Sequence, residues 1–298
     1  MRSPQSGIFA LGTSAHAYLE FDVVSARDAA ALVQAVSSLR EPRTTMGGVN
    51  LVAGFRPELW RSAVPDEAPA QLVGFNAPIV GVDGFEMPAT QHDAALWLSG
   101  SAYDVVFDTA RAAIGELADA ATLVAETSSW PYQHDRDLTG FIDGTENPTL
   151  IEAPGHVVIP DGEPGAGGTI LLLQKWPHDA VAWEALPVTA QEAVMGRTKP
   201  DGVELDPKPD DSHVASTDQE RFGTIFRRNT PYGTVSEHGT MFVGFSADQQ
   251  TLVSMLESMA GLASGARDAL TRYTKPVAGA YYFVPSAETL LHCPELVS

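Results

Sequence analysis

The first half of the chain alternates between short apolar runs and longer amphipathic stretches. Four apolar runs predict β-strands, at residues 15–23, 48–55, 95–99 and 122–126. Between the first two runs, apolar residues recur at helical spacing from Ala29 to Val36, which predicts a helix over residues 26–39 with Ser25 as its N-terminal cap. The spacing predicts a second helix near residues 102–118.

The second half of the chain repeats this rhythm. Strands are predicted at residues 169–174, 240–246 and 281–284, with helical segments near 178–196. A further helix has one apolar face, made of Leu252, Met255, Leu256 and Met259. Both halves have the pattern of a split βαβ, ferredoxin-like unit. We therefore expect an α+β fold with antiparallel sheets and peripheral helices, divided into residues 1–127, a connecting segment 128–168, and residues 169–298.

Charge and cysteine content narrow the classes of partner. The formal net charge is −20, which disfavours nucleic acid and anionic membranes as partners because both attract basic surfaces. Cys293 is the only cysteine, so an intrachain disulfide is impossible and a cysteine-based zinc site is not expected. The first residues show no apolar export signal, and no run of about 18 apolar residues occurs. These features predict a cytoplasmic protein that does not span a membrane.

The connecting segment contains the most informative run, DLTGFIDGTENP, from Asp137 to Pro148. Asp143 stands between Gly140 and Gly144, which permit positive φ angles or a close backbone approach. Pro148 disfavours helical geometry at the residue before it. The run therefore predicts a shaped loop with one central carboxylate. The residues alone leave two interpretations about equally open, namely a functional acid and an aspartate that caps a turn.

The same run resembles the GxxDG motif, with its GTENP continuation, of the dye-decolorizing peroxidases, a family of haem enzymes. Three further segments are similar to that family in the same order: 211–214 (DSHV), 226–233 (FRRNTPYG) and 272–283 (RYTKPVAGAYYF). Together the matches cover most of the chain from about Trp130 onward. The compact length and the lack of an export signal resemble the B class of the family. This resemblance implies two ferredoxin-like halves, with haem b bound in the second.

The resemblance also implies how the cofactor is held. His213 is the candidate axial ligand of the haem iron and so the candidate metal ligand. An acidic partner on its other ring nitrogen would increase its basicity, and both Asp268 and Glu257 are candidates, with Asp268 preferred. Further contacts to the cofactor are expected from Gly144, Thr145, Arg227 and Phe242.

The catalytic residues implied by the resemblance are Asp143, Arg227 and Asn229. A carboxylate near the iron can move a proton between the two oxygens of a peroxide. A guanidinium can stabilise the negative charge that develops on the departing oxygen. Asn229 has two open roles, as a donor to a water or peroxide and as the cap of a turn. The neighbouring Arg228 is not expected to take this role, and Arg228→Leu is expected to change little.

Other histidines match no motif, and surface positions are expected for His134, His178, His238 and His292.

The leading functional hypothesis is a haem b peroxidase that takes hydrogen peroxide and a bulky or small aromatic reductant. The alternative is a haem-binding or haem-handling protein with little turnover, which needs His213 but neither Asp143 nor Arg227. A third hypothesis is a structural α+β domain without a cofactor. A homo-oligomer is also expected, although the sequence does not determine the number of copies.

Overall fold

The computed structural model describes residues 2–25, 29–39 and 48–296. The strands are β1 Ala15–Val23, β2 Val49–Phe55, β3 Ile79–Val80, β4 Glu86–Met87, β5 Ala94–Gly100, β6 Ala121–Ser129, β7 Thr169–Pro177, β8 Phe226–Arg227, β9 Thr230–Gly233, β10 His238–Ser246 and β11 Ala278–Val284. The helices are α1 Ala29–Ser38, α2 Pro57–Ala63, α3 Tyr103–Leu117, α4 Ala153–Val157, α5 Ala180–Glu184, α6 Val188–Met195, α7 His213–Ser216, α8 Gln219–Phe222, α9 Gln249–Met259 and α10 Ala287–Leu296. Short 3-10 helices occur at Ser6–Phe9, Pro65–Glu67, Val82–Gly84 and Ala269–Arg272.

The two halves have the same strand order, and this confirms the predicted α+β, ferredoxin-like fold class. In the first half the order is β2-β5-β1-β6, with α1 between β1 and β2 and α3 between β5 and β6. In the second half the order is β11-β7-β10-β9, with α9 between β10 and β11. All of these pairings are antiparallel. The boundaries at residues 127–128 and 168–169 stay predictions.

The two four-stranded units join edge to edge and form one closed sheet. β11 meets β2 at the pair Phe283 and Phe55, and β6 meets β9 at the pair Ser129 and Tyr232. Because β7 also pairs with β10, these eight strands close on themselves as a barrel. The short strand β8 pairs with β10 beyond β9.

Two apolar layers follow from the alternation of side chains along each strand. On β1, Tyr18 belongs to a cluster inside the barrel, whereas Leu19 and Phe21 belong to a larger cluster on its outer face. The outer cluster includes Leu32 of α1 and Leu252 of α9, so these helices pack against the outside of the sheet. The predicted helices are therefore peripheral, as expected.

Several predicted boundaries differ from the observed ones. The predicted start of the first helix falls at residues 26–28, which lie outside the described residues, so the predicted cap by Ser25 stays a prediction. The sixth strand continues to Ser129 rather than ending at residue 126, because its last residues pair with β1. The segment around His213 forms a helical turn, α7, because the Ser212 hydroxyl caps it by accepting from the Ala215 N–H at 3.4 Å.

Candidate active site

The candidate site is a cavity between the outer face of β7 and β10, helix α9 and the loop that contains Asp143. It encloses about 1280 Å³ of space between atoms, including its open mouth. Its apolar lining includes Leu172, Phe242, Leu252, Met255, Leu256 and Met259. Its polar lining includes Asp137, Asp143, Gln174, His178, Arg197, His213, Arg227 and Asn229. Most of the predicted site residues therefore meet in one cavity, although they come from distant parts of the chain.

The loop that carries Asp143 is shaped by its glycines and by one arginine. Gly140 and Gly144 have φ angles of +86° and +71°, a region that L side chains rarely adopt. The Arg136 guanidinium donates to the Gly140 carbonyl at 2.8 Å and to the Lys199 carbonyl at 2.9 Å. These bonds hold the loop against a neighbouring segment and fix the position of Asp143.

Asn147 connects this loop to the strand that carries Arg227. Its side-chain amide donates to the Arg227 carbonyl at 2.9 Å and accepts from the Arg227 N–H at 2.8 Å. One side chain thus completes both backbone hydrogen bonds of a strand residue, as a neighbouring strand would. The Asn-Pro end of the GTENP run therefore has a structural reason, because it sets Arg227 beside Asp143.

Three predicted catalytic side chains form one polar group. The Arg227 Nη2 atom lies 3.8 Å from Asp143 Oδ1, close enough for an ion pair but too far for a direct hydrogen bond. Asp143 Oδ1 also accepts from the Gly144 N–H at 2.8 Å and from Asn229 Nδ2 at 3.3 Å. Asn229 Oδ1 in turn accepts from the Val243 N–H at 3.1 Å. Asn229 therefore links Asp143 to strand β10 and holds it in place.

His213 is held in the same cavity by a buried carboxylate. Its Nδ1 atom lies 2.7 Å from Asp268 Oδ2, and Asp268 is 0% exposed. The other oxygen of Asp268 accepts from the Leu270 N–H at 2.9 Å, which fixes the carboxylate. Asp268, rather than Glu257, is thus the partner of His213. Because Nδ1 is used, Nε2 is the ring atom left to bind a metal.

Of the other residues predicted to contact the cofactor, two line the cavity and two do not. Thr145 and Phe242 line the cavity, as the prediction for cofactor contacts requires. Gly144 is absent from the lining and shapes the loop instead, since a Cβ there would lie 2.9 Å from the Asn147 amide. Asp268 also lies outside the lining and reaches the cavity only through His213.

Comparison with known proteins identifies the family. The family model described as "Dyp-type peroxidase, C-terminal" matches residues 134–289. The protein named dye-decolorizing peroxidase from Mycolicibacterium paratuberculosis is 36% identical over 284 residues, which cover 91% of this chain and 77% of that protein. The protein of the same name from Mycobacterium tuberculosis is 34% identical and covers 89% of this chain and 80% of that protein.

The chain belongs to the dye-decolorizing peroxidase family. A solved structure of a DypB variant from Rhodococcus jostii RHA1 in complex with heme has a TM-score of 0.88 and 31% identity. It covers 98% of this chain and 99% of that chain. The family predicted from the sequence is therefore confirmed, and the chain is a peroxidase.

The sequence identifies Asp137 only as the first residue of a motif, but the structure places it in the candidate site. It lines the cavity, and its Oδ1 accepts from both the backbone N–H, at 2.8 Å, and the hydroxyl of Thr139. Burial raises the pKa of Asp137 to about 6, and the negative charge of Asp143 adds to this shift. A second carboxylate near Asp143 therefore changes charge close to neutral pH.

The position of His178 differs from the predicted one. The sequence predicts a surface histidine, but His178 lines the cavity, and its Nε2 atom lies 3.1 Å from the Thr240 hydroxyl. Burial lowers the pKa of His178 to about 4, so the imidazole is neutral at physiological pH. Alternation along β7 places Leu172, Gln174 and Trp176 on the same outer face, just before His178, and this was the signal that could have located it.

Arg227 and Arg228 face opposite sides of the sheet. Arg228 is buried in the barrel, where it donates to the Ile8 carbonyl at 2.9 Å and to the Ala10 carbonyl at 2.7 Å. Its guanidinium also stacks 5.1 Å from the centre of the Trp97 ring. Arg228 is therefore a structural residue, and the choice of Arg227 for the site agrees with the geometry.

The described residues contain no group of three or more His, Cys, Asp or Glu side chains that could hold a metal ion. None of their helices is both long and apolar enough to cross a membrane.

Proposed function

We propose that this chain binds haem b in the cavity and uses it to reduce hydrogen peroxide with electrons from aromatic donors. The observation that carries the proposal is the presence, in one largely apolar cavity, of the His213–Asp268 pair and of the Asp143–Arg227–Asn229 group. The two groups fit separate tasks, because the first can hold a metal and the second can handle protons and charge. A peroxidase needs both.

The cavity fits such a cofactor in its chemistry. Its aliphatic and aromatic lining suits a flat, apolar macrocycle. Two of the residues that line it each have a buried side-chain nitrogen without a hydrogen-bond partner, namely Arg227 Nε and Gln174 Nε2. Buried donors are rarely left unpaired, so these atoms favour an additional group with acceptor atoms. The carboxylates of a haem, or the oxygens of its ligands, are acceptors of this kind.

His213 would hold the iron through Nε2, and the iron supplies the redox chemistry. Asp268 accepts from Nδ1 and so makes the imidazole a stronger donor to a metal. The Leu270 N–H fixes Asp268 in turn, which keeps the ring orientation constant.

Asp143 is the proposed proton carrier for the peroxide. It would take the proton from one oxygen and return it to the other, so that water leaves. Arg227 would stabilise negative charge on the departing oxygen and stays protonated throughout. Asn229 would keep Asp143 in place. The net reaction converts one hydrogen peroxide and two one-electron, one-proton donors into two waters and two oxidised donors.

The decisive experiment measures haem and turnover together. The purified chain should show a Soret band after haem reconstitution and should consume hydrogen peroxide in the presence of a phenolic donor. Haem that binds firmly without peroxide consumption would support the haem-handling alternative. Absence of haem binding would refute both.

A cytoplasmic location and a homo-oligomer stay predictions. Sedimentation analysis of the purified chain tests the predicted homo-oligomer.

A further inference from the structure

A second cavity lies on the outer face of the sheet, against a different face of α9. It encloses about 1790 Å³ of space between atoms, including its open mouth. On α9, the haem-site cavity is lined by Leu252, Met255, Leu256 and Met259, and the second cavity by Gln249, Gln250, Val253 and Glu257. None of the residues assigned above to peroxide chemistry lines the second cavity.

One wall of this cavity is the segment 69–77, which the rest of the protein holds firmly in place. The Gln249 side chain accepts from the Val73 N–H at 3.1 Å and donates to the Val73 carbonyl at 2.6 Å. The Gln91 side chain accepts from the Phe75 N–H at 2.7 Å and from the Tyr281 N–H at 2.9 Å. The wall is thus a preformed structure, which lowers the entropy cost of binding a ligand.

Tyr281 lines this cavity and has an unsatisfied hydroxyl. The residue is 2% exposed, its ring contacts Phe75 edge to face at 5.2 Å, and its hydroxyl has no hydrogen-bond partner. The adjacent Tyr282, inside the barrel, instead donates to Glu20 at 2.6 Å. Burial, and then the charge of Glu257, raise the pKa of Tyr281, so its hydroxyl stays a donor. A buried donor without a partner is unusual and suggests an acceptor from outside the chain.

The charges around the cavity have one sign. Its lining includes the carboxylates of Glu163, Asp248 and Glu257, and no lysine or arginine of the described residues. Apolar side chains cover much of the remaining wall, among them Leu72, Ile159 and Ile170. The cavity therefore combines an apolar interior, one free hydrogen-bond donor and an acidic rim.

We propose that this cavity binds a small organic cation whose aromatic or aliphatic body carries a hydrogen-bond acceptor. The body would displace water from the apolar wall, the acceptor would bind the Tyr281 hydroxyl, and the positive charge would lie near Glu257 and its acidic neighbours. The net charge of −20 would draw such a ligand toward the protein. This binding does not depend on peroxide turnover.

Benzoylcholine is a suitable probe, because it has an aromatic ring, an ester carbonyl and a quaternary ammonium that cannot bind iron. Hippurate carries the same benzoyl group with a negative charge and is the matched control. Isothermal titration calorimetry on the haem-loaded protein should show one benzoylcholine bound per chain, without a shift of the Soret band. Hippurate should show at least tenfold weaker binding, because the acidic rim repels it.

Two variants locate the probe. Tyr281→Phe should weaken benzoylcholine binding about three- to tenfold, the effect of losing one hydrogen bond. The same variant should leave the melting temperature unchanged or higher, because the hydroxyl has no partner to lose. Glu257→Gln should weaken binding about two- to fivefold, and more at low salt. Glu237→Gln, an exposed residue outside the cavity, should leave binding unchanged.

Equal affinity for benzoylcholine and hippurate would overturn the proposal. So would benzoylcholine binding that neither Tyr281→Phe nor Glu257→Gln weakens, or that shifts the Soret band and so reports the haem site. Failure of these tests with normal peroxide turnover would leave the proposed peroxidase function intact.

Discussion

The two halves of the molecule share a strand order but differ in what lies between sheet and helices. In the first half, α1 and α3 pack directly on the sheet, and Leu32, Val33 and Leu117 are fully buried there. In the second half, residues 178–225 connect β7 to β8 through four short helices. These helices do not cover the sheet as one long helix would, and the haem-site cavity remains between them, α9 and the outer face of β7. The same architecture thus makes a packed core in one half and a cavity in the other.

This difference shows that one long connection can create a site without a change of fold. The candidate site residues lie in loops or at element ends: Asp143 in a loop of the connecting segment, His213 at the first position of α7, and Arg227 at the end of β8. A fixed sheet holds them, which is a common arrangement for functional residues.

The largest expected effect is the loss of haem from the second half. His213→Ala should remove the metal ligand and leave a folded protein that retains little haem, since the barrel does not depend on this side chain. The ratio of Soret to protein absorbance after reconstitution measures the loss. His238→Ala, in the same half but outside the cavity lining, is the control and should retain haem. An unchanged spectrum in His213→Ala would exclude His213 as the ligand.

The next effect is on peroxide chemistry with haem still bound. Arg227→Leu should slow the reaction with peroxide on the order of a hundred- to a thousand-fold. Asp143→Ala should slow it about a hundred- to ten-thousand-fold. In the double variant the rate with peroxide should fall by less than the product of the two single-variant factors, because the pair acts as a unit. Stopped-flow spectroscopy gives these rates. Normal rates in both single variants, with full haem content, would refute the assignment.

Arg228→Leu tests the barrel interior, which both halves share. Arg228 makes hydrogen bonds to two carbonyls of the N-terminal segment, so its loss leaves the Ile8 and Ala10 carbonyls without these donors. We expect a loss of about 2–4 kcal/mol in the free energy of unfolding, measured by denaturant titration. The rate with peroxide should change little in the protein that remains folded. The variant is therefore unsuitable as a neutral control, in contrast to the expectation from sequence. A large loss of rate at unchanged stability would contradict this separation of roles.

The smallest effect concerns pH. Because the pKa of Asp137 is raised to about 6 in the folded chain from an ordinary value of 3.8, folding favours the protonated acid. Its contribution to stability is fully present below pH 3.8 and is lost as the pH rises toward and through about 6. Relative to Asp137→Asn, the free energy of unfolding should therefore fall by about 2–3 kcal/mol between pH 4 and 7. Thermal or denaturant unfolding of both proteins across this range measures it. A difference independent of pH would contradict the raised pKa.

The sequence predicted the two halves well because their strands and helices follow local periodicity. It did not predict the closed sheet, because the contacts of Phe283 with Phe55 and of Ser129 with Tyr232 join residues far apart in the chain and leave no local signal. The candidate site residues were predicted by resemblance to motifs, whereas Asp137, Gln174 and His178 were not predicted because their place in the cavity depends on burial. Only the packed structure shows which polar atoms lose contact with water.

Closure of the sheet also determines how the chain can misassemble. Each seam between the halves has one strand-ladder pair, at Phe283 and Phe55 and at Ser129 and Tyr232. If a seam opens, two strand edges with free N–H and carbonyl groups become available at once, and edges of this kind pair readily with other chains. A second opened copy could offer matching edges, so exchange of halves between molecules becomes a natural route of misassembly. Either half produced alone would have the same edges permanently exposed. The halves are alike enough to be duplicates, yet each protects the other from aggregation.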